Sequence, residues 1–487
     1  MTTSTTGTWA LDPDRCFSPE ASQRELARSL YDGVADLPLV CPHGHVPVEL
    51  LADDAPLSDP ARLMVVPDHY VLRMLYSHGV ALEDLGLAPR GGGPHESDGR
   101  AIWRRFSQHF HLFAGTPTGL WLKHQLIELF GVDERPCAEN ADRVHDHLQE
   151  RLAQPSFMPR ALFERLGVEV LCTTDAATDD LSPHERLQRE GFEVLPTFRP
   201  DAVIDPSRDD WAAAIALLAG RSGVAVEDYA GYLQALRARR EAFRAAGATA
   251  TDHASLTAHV ERLSEGTAAA VFDRLLGGDG SGDDAARFAS HMLAEMARMS
   301  TEDDLVMQLH AGSLRDHHGR VFTRFGRDVG ADIPIAIDWT RSLRPLLDDV
   351  GAHPRLRLVL YTLDESTYAR ELAPLAGHYP ALRLGAPWWF FDSVLGMERY
   401  LDATVETAGI HNLAGFNDDT RAFPSIRARH DVWRRVACNW LAGHVRRGLI
   451  DHDVAPALAR ALAYDQARDT YRLGSGRGAD ASAPAAS

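Results

Sequence analysis

The sequence predicts an α/β fold built on parallel strands. Short apolar runs recur along the chain and end in polar residues, as buried parallel strands do. Stretches rich in Ala, Leu, Arg and Glu lie between several of these runs and have helical character. With 487 residues, of which 45% are hydrophobic, the chain is long enough to bury a large core, as one big barrel or as a few ordinary domains.

The first predicted strand lies in Leu37-Pro-Leu-Val-Cys-Pro-His-Gly-His, where an apolar run passes into a polar loop. Six further strands are predicted at 168–173, 192–197, 305–309, 356–361, 382–385 and 413–416. Two intervals, 85–164 and 206–300, are much longer than a simple crossover and are interpreted as helical insertions. We therefore expect a single domain over 1–473, followed by a disordered Gly/Ala/Ser-rich tail over 474–487.

Composition excludes several classes of function. A formal net charge of -19 disfavours nucleic acid and anionic membranes as partners, because excess carboxylates repel phosphates. No run approaches the roughly 18 apolar residues of a membrane span, and the scattered five cysteines show no disulfide or zinc-ribbon spacing, so we expect a cytoplasmic protein. Lys123 is the only lysine and lies in a helical pattern, which argues against Schiff-base chemistry and a Walker-type phosphate loop.

Two histidines one residue apart, His43 and His45, follow the first predicted strand. Alternate residues of a strand share a face, so both imidazoles can point inward and bind a divalent ion in their neutral form. The chain contains 23 histidines, and His-x-His alone is a weak signal that ordinary core or surface histidines also produce.

Asp419 follows the last predicted strand, in Gly415-Phe-Asn-Asp-Asp-Thr-Arg. If the sheet closes into a barrel, the last strand pairs with the first, and a carboxylate here could complete a metal site with His43 and His45. The alternative is a helix N-cap, a position that suits Asp418, Asp419 and Thr420 equally well.

The chain resembles the uronate isomerases of the amidohydrolase superfamily over nearly its whole length. The matching segments are Asp68-His-Tyr, Val168-Glu-Val-Leu-Cys-Thr-Thr-Asp, Leu195-Pro-Thr-Phe-Arg-Pro-Asp, Met307-Gln-Leu-His-Ala-Gly-Ser-Leu-Arg, Trp388-Trp-Phe-x-Asp-x-x-x-Gly-Met-Glu-Arg and Asp419-Thr-Arg-Ala-Phe. One motif departs from the common form, with Pro42-His-Gly-His where many members have Tyr-His-Cys-His. Both histidines are kept, so the departure bears on the subgroup and the preferred sugar epimer.

The resemblance implies a (β/α)8 TIM barrel with long helical insertions and one divalent ion, zinc being the expected one, held by His43, His45 and Asp419. It also implies that Asp419 takes the C2 proton of a sugar acid, that Tyr70 relays a proton between the C1 and C2 oxygens, and that Arg421 polarises the carbonyl. The further positions that it places at the substrate are His69, Arg199, His310, Arg315 and Trp388.

Two other functions remain open from the sequence. A mononuclear metal-dependent hydrolase could use the same residues to activate water, whereas a dinuclear one bridged by a modified lysine does not fit the single lysine. A catalytically silent sugar-acid sensor is the other alternative, and a homo-oligomer is compatible with any of the three.

Overall fold

The computed structural model describes residues 9–57 and 59–474, so the predicted tail lies outside the described residues except for Gly474. Eleven strands are present in this part of the chain: β1 Leu39–Cys41, β2 Val168–Cys172, β3 Asp175–Ala176, β4 Val194–Leu195, β5 Phe198–Arg199, β6 Ala250–Ser255, β7 Val306–Ala311, β8 Ser313–Leu314, β9 Ile333–Pro334, β10 Leu358–Thr362 and β11 Leu382–Leu384.

The strands form a parallel array with the order of a (β/α)8 barrel. One sheet has the order β1-β2-β4 and a second has the order β3-β5-β6-β7-β10-β11, with β3 and β5 continuing the paths of β2 and β4. Leu384 makes a parallel bridge to Leu413, which gives the eighth barrel position. The N–H of His45 donates to the carbonyl of Thr420 at 2.8 Å, so the first and last positions meet. Only β8 and β9, among the described strands, pair antiparallel.

Helices surround this array and occupy the long connections. Those of eight or more residues in the described chain are Ala21–Asp32, His69–Ser77, Gly99–Gln108, Pro117–His124, Ala141–Leu152, Pro159–Leu166, Ser182–Arg189, Trp211–Ser222, Tyr229–Ala245, Glu265–Gly277, Gly282–Asp303, Val394–Ala408 and Ile426–Arg446. Shorter helices are Val48–Asp53, Pro60–Met64, Asp201–Ile204, Gly319–Phe325, Trp339–Ser342, Arg344–Val350, Ala373–Ala376, Ala455–Arg460 and Gln466–Thr470. No described helix is both long and apolar enough to cross a membrane.

The interval 85–164 contains helices and no described strand, whereas the interval 206–300, predicted to be a helical insertion, is not purely helical. Strand β6 lies inside it and pairs along its whole length with β7. Its sequence, Ala-Thr-Asp-His-Ala-Ser, lacks the apolar run by which the other strands were predicted. Asp252 and His253 are buried there nevertheless, so the hydrophobic pattern misses this strand.

The helix Ile426–Arg446 packs into the main apolar core and against a second helix, Ala21–Asp32. Val432, Trp433 and Val436 belong to the main apolar core, and burial of each such side chain contributes about 1.5–3 kcal/mol. The helix packs most extensively against Ala21–Asp32, whose N-cap Glu20 accepts from the backbone N–H groups of the first turn. Near its start, the helix contacts the eighth barrel position, where the ring centroids of His430 and Phe416 lie 5.0 Å apart.

Candidate metal centre and active site

A cavity of about 820 Å³ lies at the carboxyl ends of the barrel strands. Residues following β1, β3, β5, β6 and β7 line it, together with residues after the eighth barrel position. Barrel enzymes place their chemistry at this end of the strands, and the volume suits a small molecule. The cavity is therefore the candidate active site.

His43, His45 and Asp419 meet in the wall of this cavity. The Nε2 atoms of His43 and His45 lie 3.5 and 3.2 Å from the Asp419 Oδ1 atom. This Oδ1 atom is buried and has no hydrogen-bond partner of acceptable geometry among the described residues. An orphaned carboxylate oxygen facing two ring nitrogens suits a divalent cation, and the three residues can offer ligand atoms within 4.8 Å of one another. No described helix begins directly after Asp419, so the N-cap alternative is wrong.

The electrostatics favour the ligand forms of two of these groups. Burial favours protonation of Asp419, but the imidazoles of His43 and His45 outweigh it and hold its pKa well below the usual range. Burial lowers the pKa of His45 to about 4, so this imidazole is neutral at pH 7 and keeps a lone pair. The other carboxylate oxygen, Asp419 Oδ2, accepts from the Trp388 indole N–H at 2.9 Å, which fixes the orientation of the carboxylate.

Next to His43, whose ring stacks on it with centroids 4.6 Å apart, His310 is oriented by a carboxylate. Its Nδ1 atom lies 2.7 Å from Asp252 Oδ1, and burial lowers the pKa of His310. A neutral imidazole in this position donates from Nδ1 to the carboxylate, which leaves Nε2 as an acceptor; that atom has no partner among the described residues. Asp252 is not among the residues predicted from the sequence, because no apolar run marks β6. The sequence offers only an indirect signal for Asp252: a buried histidine such as His310 requires a hydrogen-bond partner.

The three arginines predicted from sequence all line the cavity, and each is paired with an aspartate. Arg199 Nε lies 2.7 Å from Asp201 Oδ2, and its Nη1 atom lies 3.4 Å from Asp252 Oδ2. Arg315 pairs with Asp332 at 3.0 Å and Arg421 with Asp328 at 3.2 Å, each between a guanidinium nitrogen and a carboxylate oxygen. These pairs hold cationic groups around the cavity in a defined arrangement.

His69 and Trp388 line the cavity, and the Tyr70 ring contacts that of His69. Asp68 caps the helix His69–Ser77 by accepting from the Tyr70 backbone N–H at 2.9 Å. The Tyr70 ring packs edge-on against His69, with centroids 4.8 Å apart, and burial raises the pKa of its phenol well above the usual value. Tyr70 is therefore a neutral phenol at pH 7, next to the cavity wall.

Asp175 lies in the cavity wall and does not contact the metal candidates. It accepts from the Thr173 hydroxyl at 2.7 Å and from the Thr197 N–H at 3.2 Å. Burial raises the pKa of Asp175 to about 7.

The sequence model for the glucuronate isomerase family matches residues 21–471. The chain belongs to the glucuronate isomerase family. The family match spans every described strand and every cavity residue named above, and it confirms the resemblance drawn from the motifs.

Individual isomerases of this family are similar to this chain over most of its length. The uronate isomerase of Nostoc punctiforme is 55% identical over 95% of this chain and 98% of its own, and that of Rhizobium meliloti is 50% identical over 95% and 99%. The crystal structure of glucuronate isomerase from Caulobacter crescentus superposes with a TM-score of 0.94 at 44% identity, covering 97% of this chain and 98% of its own. The uronate isomerase from Thermotoga maritima superposes with a TM-score of 0.88 at 29% identity, covering 95% and 99%. These likenesses confirm the predicted fold class.

Proposed function

We propose that this protein is a uronate isomerase that interconverts D-glucuronate with D-fructuronate, D-galacturonate with D-tagaturonate, or both. The observation that carries the proposal is the convergence of His43, His45 and Asp419 in a cavity surrounded by arginines. A sugar acid brings a carboxylate that guanidinium groups bind well and hydroxyls that a divalent ion can orient.

We propose that His43, His45 and Asp419 hold one divalent ion, with zinc favoured because two of the ligands are imidazoles. When bound, the ion supplies a positive charge that orients the substrate carboxylate and the neighbouring hydroxyl. The orphaned Oδ1 atom of Asp419 supports this assignment.

Isomerisation moves a carbonyl between C1 and C2 through a cis-enediol, so the protein must remove a weakly acidic C–H proton. We assign Asp419 as acceptor of the C2 proton, because its pKa lies well below neutrality and it is ionised at pH 7. Arg421 is assigned to stabilise negative charge on the carbonyl oxygen, since a guanidinium stays charged while its donors face the cavity. Asp328 orients that guanidinium.

Tyr70 is assigned to relay a proton between the C1 and C2 oxygens. Its raised pKa supports the assignment, because a relay must begin as a proton donor. The Tyr70 ring contacts that of His69, which lines the cavity. The remaining contacts to substrate are assigned to His69, Arg199, His310, Arg315 and Trp388.

Within this set, His310 and the arginines have distinct tasks. The free Nε2 atom of His310 accepts from a sugar hydroxyl, because Asp252 holds its Nδ1 proton. Arg199 and Arg315 bind the substrate carboxylate, which competes with the aspartates that already face them. Because the substrate carboxylate competes with these aspartates, the affinity for the substrate depends on the net charge of the cavity.

We also propose a cytoplasmic location, since all five cysteines are free thiols, which suits a reducing compartment. Assembly into a homo-oligomer is compatible with this proposal, and light scattering on the purified protein measures it.

The test is an assay of purified protein with glucuronate and galacturonate, before and after chelation and after metal is restored. The proposal expects ketose formation that chelation removes and metal restores. Reaction in heavy water should place deuterium at C2 of the aldose formed in the reverse direction, whereas complete retention of the original hydrogen favours direct hydride transfer. Release of acid from a lactone or amide, with no ketose from either uronate, supports the hydrolase instead.

A further inference from the structure

A buried group of side chains lies directly beneath Asp419 and has no part in the mechanism above. Asp419 has a backbone φ of 43°, in the left-handed region that non-glycine residues seldom adopt. The residue before it, Asp418, is completely buried. A strained backbone of this kind persists only where neighbouring groups fix it.

Asp418 is held from two sides by consecutive residues of the helix Ile426–Arg446. The Nε2 atom of His430 lies 3.2 Å from the Asp418 Oδ2 atom. The Nη1 atom of Arg429 donates to the Asp418 backbone carbonyl at 3.1 Å. Side chain and backbone of the residue preceding Asp419 are thus both fixed to one rigid helix.

Arg429 is itself held firmly. The same Nη1 atom lies 3.0 Å from Asp392 Oδ2, and both side chains are buried. The guanidinium also lies 3.8 Å from the centre of the Trp121 ring and 5.5 Å from that of Tyr70. A buried, hydrogen-bonded and stacked guanidinium has little freedom, so it transmits the position of the helix to the loop that carries Asp419.

We propose that His430 and Arg429 are positioning residues for the metal centre. By fixing Asp418 at its side chain and carbonyl, they keep Asp419 in the left-handed conformation that directs its Oδ1 atom at His43 and His45. This inference rests on the proposed metal-binding role of Asp419. It assigns to two side chains outside the cavity the fixing of the backbone that carries Asp419, whereas Trp388 contacts the carboxylate itself.

A competing interpretation makes the buried group a metal site of its own. Cys41, Asp418 and His430 can offer ligand atoms within 4.8 Å of one another. Their separations, 3.6 Å from Cys41 Sγ to His430 Nε2 and 3.2 Å from that nitrogen to Asp418, also suit a hydrogen-bonded chain. None of the three lines the cavity, so we favour the positioning role and leave the second metal site as an outcome of the test.

The test uses the full chain, stripped of metal and titrated with Co²⁺, whose visible absorption reports the coordination geometry. His430→Met removes the contact to Asp418 at similar volume, and His430→Gln restores a donor. We expect His430→Met to weaken Co²⁺ binding about 10- to 100-fold and to change the spectrum, as loss of an outer-sphere partner does. His430→Gln should recover most of the affinity and the parent spectrum.

A matched control is His291→Met, which removes another buried histidine, one whose Nε2 atom lies 2.8 Å from the Tyr229 hydroxyl. It should leave Co²⁺ affinity and spectrum at parent values even if it lowers thermal stability. Should His430→Met fail to fold, Arg429→Lys takes its place, because a single ammonium cannot reproduce the guanidinium contacts to Asp418 and Asp392. It is expected to alter the spectrum in the same way.

His45→Ala separates failure of this inference from failure of the proposed metal centre. If His45→Ala binds Co²⁺ as tightly as the parent, the metal centre itself is misassigned and the positioning role is overturned with it. If His45→Ala loses binding while His430→Met keeps parent affinity and spectrum, only the positioning role is overturned. A second equivalent of Co²⁺ that disappears in Cys41→Ala overturns it in favour of a separate metal site.

Discussion

Replacing Trp388 with phenylalanine tests how the Asp419 carboxylate is oriented. The indole N–H donates to Asp419 Oδ2 at 2.9 Å; Trp388 is buried, and the Asp419 side chain is 9% exposed. Trp388→Phe keeps an aromatic ring against His310, whose centroid lies 4.8 Å away, and removes only the donor and part of the ring.

The magnitude follows from the charge of the acceptor. A hydrogen bond to an ionised group is worth about 1.5–3 kcal/mol, and 1.4 kcal/mol corresponds to a factor of ten. If the carboxylate is a metal ligand, Trp388→Phe should therefore weaken metal binding by about 10- to 150-fold. We expect a comparable loss in kcat/KM for glucuronate at a fixed, limiting metal concentration.

The assay is competition for zinc between the protein and a chromophoric chelator, with thermal unfolding of the metal-free protein measured in parallel. Trp440→Phe is a matched control, because the Trp440 indole donates to a carboxylate oxygen of Asp402 at 2.7 Å outside the cavity. The control should lose stability without losing zinc affinity. Parent-like zinc affinity in Trp388→Phe, together with parent-like stability, refutes the reasoning.

Three further predictions concern the base, the barrel and pH. Asp419→Asn should lose about 10²- to 10⁴-fold in kcat and stay folded, because asparagine tolerates a left-handed backbone; near-parent kcat contradicts the assignment of the base. Gly415→Ala should lower the free energy of unfolding in urea by about 2–4 kcal/mol, since Gly415 has φ +83° and a Cβ would lie 2.5 Å from the Ala467 nitrogen; an unchanged midpoint contradicts this close approach. Burial raises the pKa of Asp175 to about 7, so its contribution to stability is complete below about pH 4 and is lost as pH rises through 7. Asp175→Asn should therefore gain stability relative to the parent between pH 5 and pH 8, and equal shifts in Tm at both pH values contradict the raised pKa.

The strands that the sequence predicts are those that an apolar run marks. Strand β10, Leu358–Thr362, is buried at every position and reads as a continuous apolar run, so its pattern and environment agree. Strand β6 is buried as well, but Asp252 and His253 lie within it. The Asp252 carboxylate can be buried there because Arg199 and His310 both contact it. These partners are distant in the sequence, so the pairing leaves no local sequence pattern.

The candidate site shows the same division. His43, His45 and Asp419 could be proposed as a set because the first and last positions of a barrel are neighbours, which topology alone implies. The residues that hold this set in place could not be predicted from the sequence. The hydrogen bond from the Trp388 indole to Asp419 and the contact between His430 and Asp418 depend on side-chain orientations, which only the packed structure fixes. The motif that contains Tyr70 gives its position in the chain but not the contact between its ring and that of His69.

The most direct test of the central claim is a crystal structure of the zinc-loaded protein with anomalous scattering measured at the zinc edge. We predict one strong peak per chain, about 2.0–2.2 Å from the Nε2 atoms of His43 and His45 and from Asp419 Oδ1. A peak coordinated elsewhere, or a fully active protein whose crystals show no bound metal at this position, contradicts it.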